Sequence, residues 1–262
     1  MMKVIFVGDI YGNPGKKAFE ATFPRLKNAL SPDFCIANLE NAAGGRGISW
    51  PVLTELMENG VDFATMGNHV WANQSIFNFV EEEKRIVIPA NLYSGVPGQR
   101  FGILEKNGKK IGIINILGNV YMTGSSCPFR AADEMLDEIA KVTKCTLIDF
   151  HAEATSEKAA FAWYVDGRAS AVIGTHTHVQ TADERILTRG TGMITDAGMT
   201  GPADGVIGTD KDIIIKRFLY NYPIRMECAR GRTQFNGVYL ELDEETGKCT
   251  KIERLQEIVD HI

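Results

Sequence analysis

The sequence of 262 residues lacks any run of about 18 consecutive apolar residues, the length that marks a membrane-spanning helix, so no membrane span is expected. Cysteine is sparse: Cys35, Cys127, Cys145, Cys228 and Cys249 are widely spaced, odd in number and without a CxxC pair. Such a set argues against a disulfide framework and against a thiolate zinc knuckle. The opening run MMKVIFVGDI meets Gly8-Asp9 too early for a secretory signal, and a cytoplasmic protein is expected. Basic charge is also short, with 28 Lys and Arg against 33 Asp and Glu and a net charge of −5. That balance disfavours a broad grip on duplex nucleic acid, which needs a basic face. No Walker pattern follows Gly44-Gly45-Arg46-Gly47, so a flexible loop is its simplest reading, with Arg46 placed to touch an anionic substrate. Ser126 has no recognisable base partner beside Cys127, which speaks against a serine or cysteine nucleophile and leaves Cys127 structural.

What is present suffices for a substantial core. Hydrophobic residues make up 44% and charged residues 23%, so wholesale disorder is excluded. No linker stands out, and residues 1–262 read as one domain. The start alternates strands and helices. Strands are expected at Val4 to Val7, Phe34 to Leu39 and Val61 to Met66, with helices at Lys16 to Leu30 and Pro51 to Glu58. Pro24 should break or kink the first helix. The middle reads as a hairpin, Phe101 to Glu105 and Lys110 to Leu117, around an Asn107-Gly108 turn. Helices then follow at Ala131 to Val142 and Ser156 to Tyr164, with strands at Thr146 to Phe150 and Ala171 to Gly174. A last hairpin joins Gly237 to Leu242 with Lys251 to Ile258. Alternation plus hairpins predicts a layered α/β domain with mixed sheets.

The chemistry lies where the apolar runs end. Asp9, Glu40, Asn68, His151 and His176 each follow such a run directly or within a few residues. Ligands of α/β sheets gather at the carboxyl ends of strands, so these positions should converge on one crevice. Histidine is concentrated in the same places: His69, His151, His176 and His178 are all there, and His261 alone lies at the frayed C-terminus. In an extended segment, His176 and His178 would point to the same side. Singly, Asp9, Asn41 and Asn68 also suit turns, and His151 suits a hydrogen-bonded core. Jointly they suit a metal cluster. Carboxylate, amide and imidazole without thiolate suit iron, manganese or zinc. Two such ions about 3.5–4 Å apart polarise a phosphoryl group and acidify a bridging water, the requirement for hydrolysing a phosphate ester.

The motifs resemble a known family. Gly8-Asp9-Ile10-Tyr11-Gly12, Gly67-Asn68-His69, His151 and Gly174-Thr175-His176-Thr177-His178 are similar to the calcineurin-like metallophosphoesterase superfamily. The runs Asn38 to Gly45, Thr175 to Glu184 and Ile194 to Pro202 resemble its YmdB-like bacterial family, and the resemblance covers nearly the whole chain in order. Two departures from the wider superfamily point to the same narrower group. Tyr11 stands where a histidine is common, and Glu40-Asn41 stands where an aspartate is common. The resemblance implies a four-layer αββα sandwich. It implies one metal held by Asp9, Glu40, Asn41 and His178, and a second held by Glu40, Asn68, His151 and His176, with Glu40 shared and iron or manganese bound. It further implies a homo-oligomer acting on a small phosphodiester, with 2′,3′-cyclic nucleotides as substrates. His69 is assigned as the general acid for the leaving oxygen.

Competing functions are a nucleotide phosphomonoesterase, an iron oxygenase and a regulatory RNA- or protein-binding module around a metal cluster. Trp50, Trp71 and Phe77 are read as core packing in preference to base stacking. Thr200-Gly201-Pro202 reads as a turn, and Asp196 and Asp204 as candidates for orienting the ligating histidines.

Overall fold

The computed structural model of the chain describes residues 1–259; His261 lies outside them. The first half runs β1 (Met2–Val7), β2 (Asp9–Ile10), α1 (Gly12–Leu30), β3 (Phe34–Asn38), α2 (Trp50–Glu58), β4 (Phe63–Thr65), β5 (Ile86–Val87), β6 (Phe101–Lys106) and β7 (Lys109–Leu117). The second half runs α3 (Pro128–Ile139), β8 (Thr146–His151), α4 (Thr155–Tyr164), β9 (Ala171–Thr175), β10 (Arg185–Ile186), β11 (Gly192–Ile194), β12 (Met199–Pro202), α5 (Lys211–Tyr220), β13 (Thr233–Leu242) and β14 (Cys249–Val259).

The strands form two mixed sheets. In the first, the order is β2-β12-β13-β1-β3-β4-β5, with β14 also paired to β13. Here β1, β3, β4 and β5 are parallel, while β13 is antiparallel to β1 and β14. The second has the order β10-β11-β9-β8-β7-β6, with a parallel centre and antiparallel edges.

Alternation along the strands builds three apolar layers. Ile5, Val7, Ala37 and Tyr239 face Phe19 and Phe23 of α1 and Leu53 and Leu56 of α2. The intervening residues Val4, Phe6, Phe34 and Ile36 turn the other way, onto Ile113, Leu147 and Ile173 of the second sheet. On the far side, Ile114, Ile116, Ile148 and Phe150 pack on Leu136, Ile139 and Phe161 of α3 and α4. Each such side chain removed from water contributes about 1.5–3 kcal/mol. The result is the expected αββα sandwich. Among the described residues, no helix is long and apolar enough to cross a membrane.

Several local expectations change. The first helix runs on past Pro24, which lies on its exposed side, where the carbonyl it leaves unpaired can meet water. Asn107 and Gly108 take φ of 54° and 78°, as a tight Asn-Gly hairpin turn requires. Thr200-Gly201-Pro202 is a strand segment, not a turn, because it pairs with β2 on one side and β13 on the other. Trp50 and Phe77 are 47% and 51% exposed, so they are not core residues. Trp71 and Phe77 instead stack with ring centroids 5.0 Å apart. Cys127, read as structural, is exposed at the start of α3. Helix α5, between β12 and β13, has no counterpart in the sequence reading.

Candidate active site

The structure brings all eight expected side chains together at the strand ends. Asp9 follows β1, Glu40 and Asn41 follow β3, Asn68 and His69 follow β4, His151 ends β8, and His176 and His178 follow β9. Asn68 Oδ1, His176 Nδ1 and Glu40 Oε1 lie 2.8, 3.1 and 3.3 Å from His151 Nε2. On the opposite flank, Asn41 Nδ2 is 3.2 Å from Glu40 Oε1 and 3.3 Å from His178 Nε2. Asp9 Oδ2 accepts the His176 backbone N–H at 3.2 Å. Glu40 therefore sits between two groups of side chains, and its Oε2 accepts the His69 backbone N–H at 2.7 Å. His69 Nδ1 faces Asn41 Oδ1 at 2.8 Å and Glu40 Oε1 at 3.3 Å.

Local backbone chemistry makes this approach possible. A Cβ on Gly67 would stand 2.4 Å from Glu40 Oε2 and 2.6 Å from His151 Nε2, so only glycine lets the strand end pass so close. The His176–His178 segment is bent and not extended, so the same-side placement of the two rings does not hold. His176 and His178 have φ of 99° and 66°, which sends one imidazole toward His151 and the other toward Asn41. The bend is held by Asp196, whose Oδ2 accepts from Thr177 N at 3.0 Å, Thr177 Oγ1 at 2.7 Å and Lys158 Nζ at 2.8 Å. Asp196 thus orients the histidines through Thr177. Asp204 does not: it accepts the Arg232 guanidinium at 2.7 Å on the surface, away from the rings.

Each of three histidines binds an outer partner with one nitrogen and turns the other inward. His151 Nδ1 faces Thr175 Oγ1 at 2.9 Å, His176 Nε2 faces Glu153 Oε2 at 3.1 Å, and His178 Nδ1 donates to the Ile207 carbonyl at 2.9 Å. Such outer contacts fix which nitrogen carries the proton and leave the inner lone pair for a cation. The sequence reading missed Thr175, Glu153 and Ile207. Only Glu153, two residues beyond His151, had a local signal.

Charge in the cluster is strongly perturbed. Burial pulls His151 down, but Glu40, with Asp9 and Asp149, outweighs it and holds the imidazolium up to about 9. Burial and His151 push His176 down to about 3. Burial raises Asp9 against His178 and His151, whereas Glu40 resists burial through His151 and His69 and stays well below the usual carboxylate range.

These residues fit a pair of cations. Asp9 is fully buried, yet its Oδ1 has no hydrogen-bond partner among the described residues. An orphan carboxylate oxygen in such a place is costly unless a cation meets it. Glu40, His151 and His176 also offer ligand atoms all within 4.8 Å of one another. Beside them opens a cavity of about 630 Å³ lined by Tyr11, Asn41, Arg46, His69, His178 and Arg217. Tyr11 meets His178 edge-on, ring centroids 5.7 Å apart.

Comparison with known proteins agrees with this geometry. The chain is 48% identical over 261 residues to the 2′,3′-cyclic-nucleotide 2′-phosphodiesterase of Bacillus subtilis (strain 168), covering 100% of this chain and 99% of that one. A crystal structure of a hypothetical protein from Thermus thermophilus superposes with a TM-score of 0.93 at 38% identity, covering 98% of this chain and 100% of that one. A novel phosphatase from Mycoplasma pneumoniae gives 0.93 at 36% identity, covering 99% and 94%. With relatives named phosphodiesterase and phosphatase, the chain is a hydrolytic phosphoesterase. The sequence model for YmdB-like protein matches residues 5–255, and the chain belongs to that family.

Proposed function

We propose that the protein is a metal-dependent phosphodiesterase that opens 2′,3′-cyclic nucleotides in the cytoplasm. One observation carries the reading: His151, His176 and His178 each anchor one nitrogen outward and present the other to a group made of the buried Asp9, Glu40 and Asn41 and the exposed Asn68. In this reading Asp9, Glu40, Asn41 and His178 hold one cation, Glu40, Asn68, His151 and His176 hold the other, and iron or manganese suits both. Bound there, the pair supplies positive charge to the phosphoryl oxygens and lowers the pKa of water. Asn41 takes part with its amide oxygen, which a half-turn of the terminal amide brings to the side of His178. His69 is 27% exposed at the cavity, and after that half-turn its Nδ1 accepts from the Asn41 amide N–H. That leaves Nε2 to protonate the leaving oxygen. Tyr11, Arg46 and Arg217 line the space for the rest of the nucleotide. Five unpaired cysteines suit a reducing compartment. The exposed apolar side chains of α5 support assembly with further copies of the chain.

The test is metal analysis of anaerobically purified protein, followed by turnover of 2′,3′-cyclic AMP, 3′,5′-cyclic AMP and an aryl phosphate monoester. Two iron or manganese ions per chain and turnover of the 2′,3′-cyclic diester are expected. Turnover of the monoester alone would replace this reading with a phosphomonoesterase.

A further inference from the structure

Beneath the cluster, Asp149 joins the two sheets through a buried polar chain. It lies on β8 two residues before His151, so both side chains point to the same face, toward the first sheet. Its Oδ2 accepts Thr65 Oγ1 at 2.5 Å and Asn38 Nδ2 at 2.9 Å, from the ends of β4 and β3. Its Oδ1 accepts Thr175 Oγ1 at 2.6 Å, from the end of β9. Asn38 extends the chain, because its Oδ1 accepts the Glu40 backbone N–H at 3.1 Å. Asn38, Thr65, Asp149 and Thr175 are all fully buried.

The direction of these bonds has a chemical consequence. A threonine hydroxyl carries one proton. Asp149 Oδ1, at a distance typical of a hydroxyl donating to a carboxylate, takes it. The Thr175 oxygen can then only accept from His151, which lies 2.9 Å away. His151 must therefore keep a proton on Nδ1, so its Nε2, beside Asn68, His176 and Glu40, is the nitrogen that can give up its proton to a cation. We propose that Asp149 is a positioning residue that sets the His151 tautomer through Thr175 and, through Asn38 and Thr65, fixes the spacing between metal ligands on the two sheets. The inference rests on the reading that the cluster holds cations.

The test titrates Co²⁺ alone into the chelator-treated full chain, followed by visible absorption, with thermal unfolding of the metal-free protein measured alongside. Thr175→Val removes the hydroxyl at nearly constant shape. It is expected to weaken Co²⁺ binding about 10–100-fold at one of the two sites, the usual cost of losing an outer partner of a ligating histidine. Thr175→Ser, which restores the hydroxyl, should bind within about twofold of wild type by the same argument. Asp149→Asn should resemble Thr175→Val; should it fail to fold, the Thr175 pair alone decides. A Thr175→Val protein with wild-type Co²⁺ affinity and spectrum, whatever its melting temperature, overturns the inference and leaves the proposed function standing. A wild-type chain that binds no Co²⁺, Mn²⁺ or Fe²⁺ would sink the proposed function, and this inference with it.

Discussion

Lys158 Nζ lies 2.8 Å from Asp196 Oδ2, and only 3% and 1% of the two side chains are exposed. The same Asp196 oxygen holds Thr177, the residue between two candidate ligands. A buried pair of this kind is strongly destabilised when one partner is lost, because the other charge stays behind. Lys158→Ala should therefore cost about 3–5 kcal/mol in urea unfolding. Turnover should fall further than stability explains, because the bend that separates His176 from His178 loses its anchor. A variant unfolding within about 1 kcal/mol of wild type would show that Asp196 needs no cation beside it.

Asp9 gives a test with two opposite signs. Its Oδ1 is buried without a hydrogen-bond partner among the described residues, and burial raises its pKa. In the metal-free protein such a carboxylate is a burden, and in the loaded protein it is a ligand. Asp9→Ala should reduce bound metal from two ions per chain to one or none by elemental analysis. After chelator treatment the variant should melt no lower than chelator-treated wild type. Two ions retained by Asp9→Ala would remove Asp9 from the ligand set.

How far the sequence reading reached follows from which interactions are local. The apolar runs ending at Asp9, Glu40, Asn68, His151 and His176 were visible because strand burial leaves a periodic trace, and parallel strands place their ends on one side. The bend at His176–His178 was not visible, because it depends on Asp196 and Lys158, 19 and 38 residues apart in sequence from their partners. Pro24 was misjudged for a related reason: a proline in a helix is tolerated when its side faces water, and the side is settled by tertiary packing. Helix α5 was passed over although Ile214, Ile215, Phe218 and Leu219 recur at helical spacing; it buries none of its residues in the core.

The pH response of the metal-free protein follows from His151. Its imidazolium is held at about 9 against an ordinary value of 6.5, so the folded chain binds that proton more tightly than the unfolded chain does. This contribution to stability is complete below about 6.5 and is lost as pH rises through about 9. A bound cation competes for the same nitrogen, so metal affinity should climb over that interval and binding should release protons. Melting temperature measured across it should fall more steeply for chelator-treated protein than for loaded protein. Parallel curves would show that His151 does not exchange its proton for a metal.

His69 can be separated from the ligands by leaving group. His69→Ala should retain both metal ions yet lose about 10²–10⁴-fold in kcat on a 2′,3′-cyclic nucleotide, whose leaving oxygen needs a proton. On a diester with an aryl leaving group, already a good one, the loss should be much smaller. Equal losses on both substrates, or full turnover on the nucleotide, would take the acid role away from His69.

Helix α5 predicts assembly. Asp210 caps it by accepting from Asp212 N and Ile213 N, but no residue of the helix is buried. Phe218, Leu219 and Tyr220 are 79%, 69% and 66% exposed. A ten-residue helix is marginal in water on its own, and aromatic side chains carry about 150–250 Å² each, so a helix this exposed calls for a covering surface. The wild-type chain should sediment as an oligomer, and Phe218→Glu with Leu219→Glu should sediment as a monomer with its metal content unchanged. Arg217 on the same helix lines the cavity, so freeing the helix should raise KM more than it lowers kcat. A wild-type chain that sediments as a monomer at micromolar concentration would remove the assembly reading, and an effect on kcat alone would separate α5 from substrate binding.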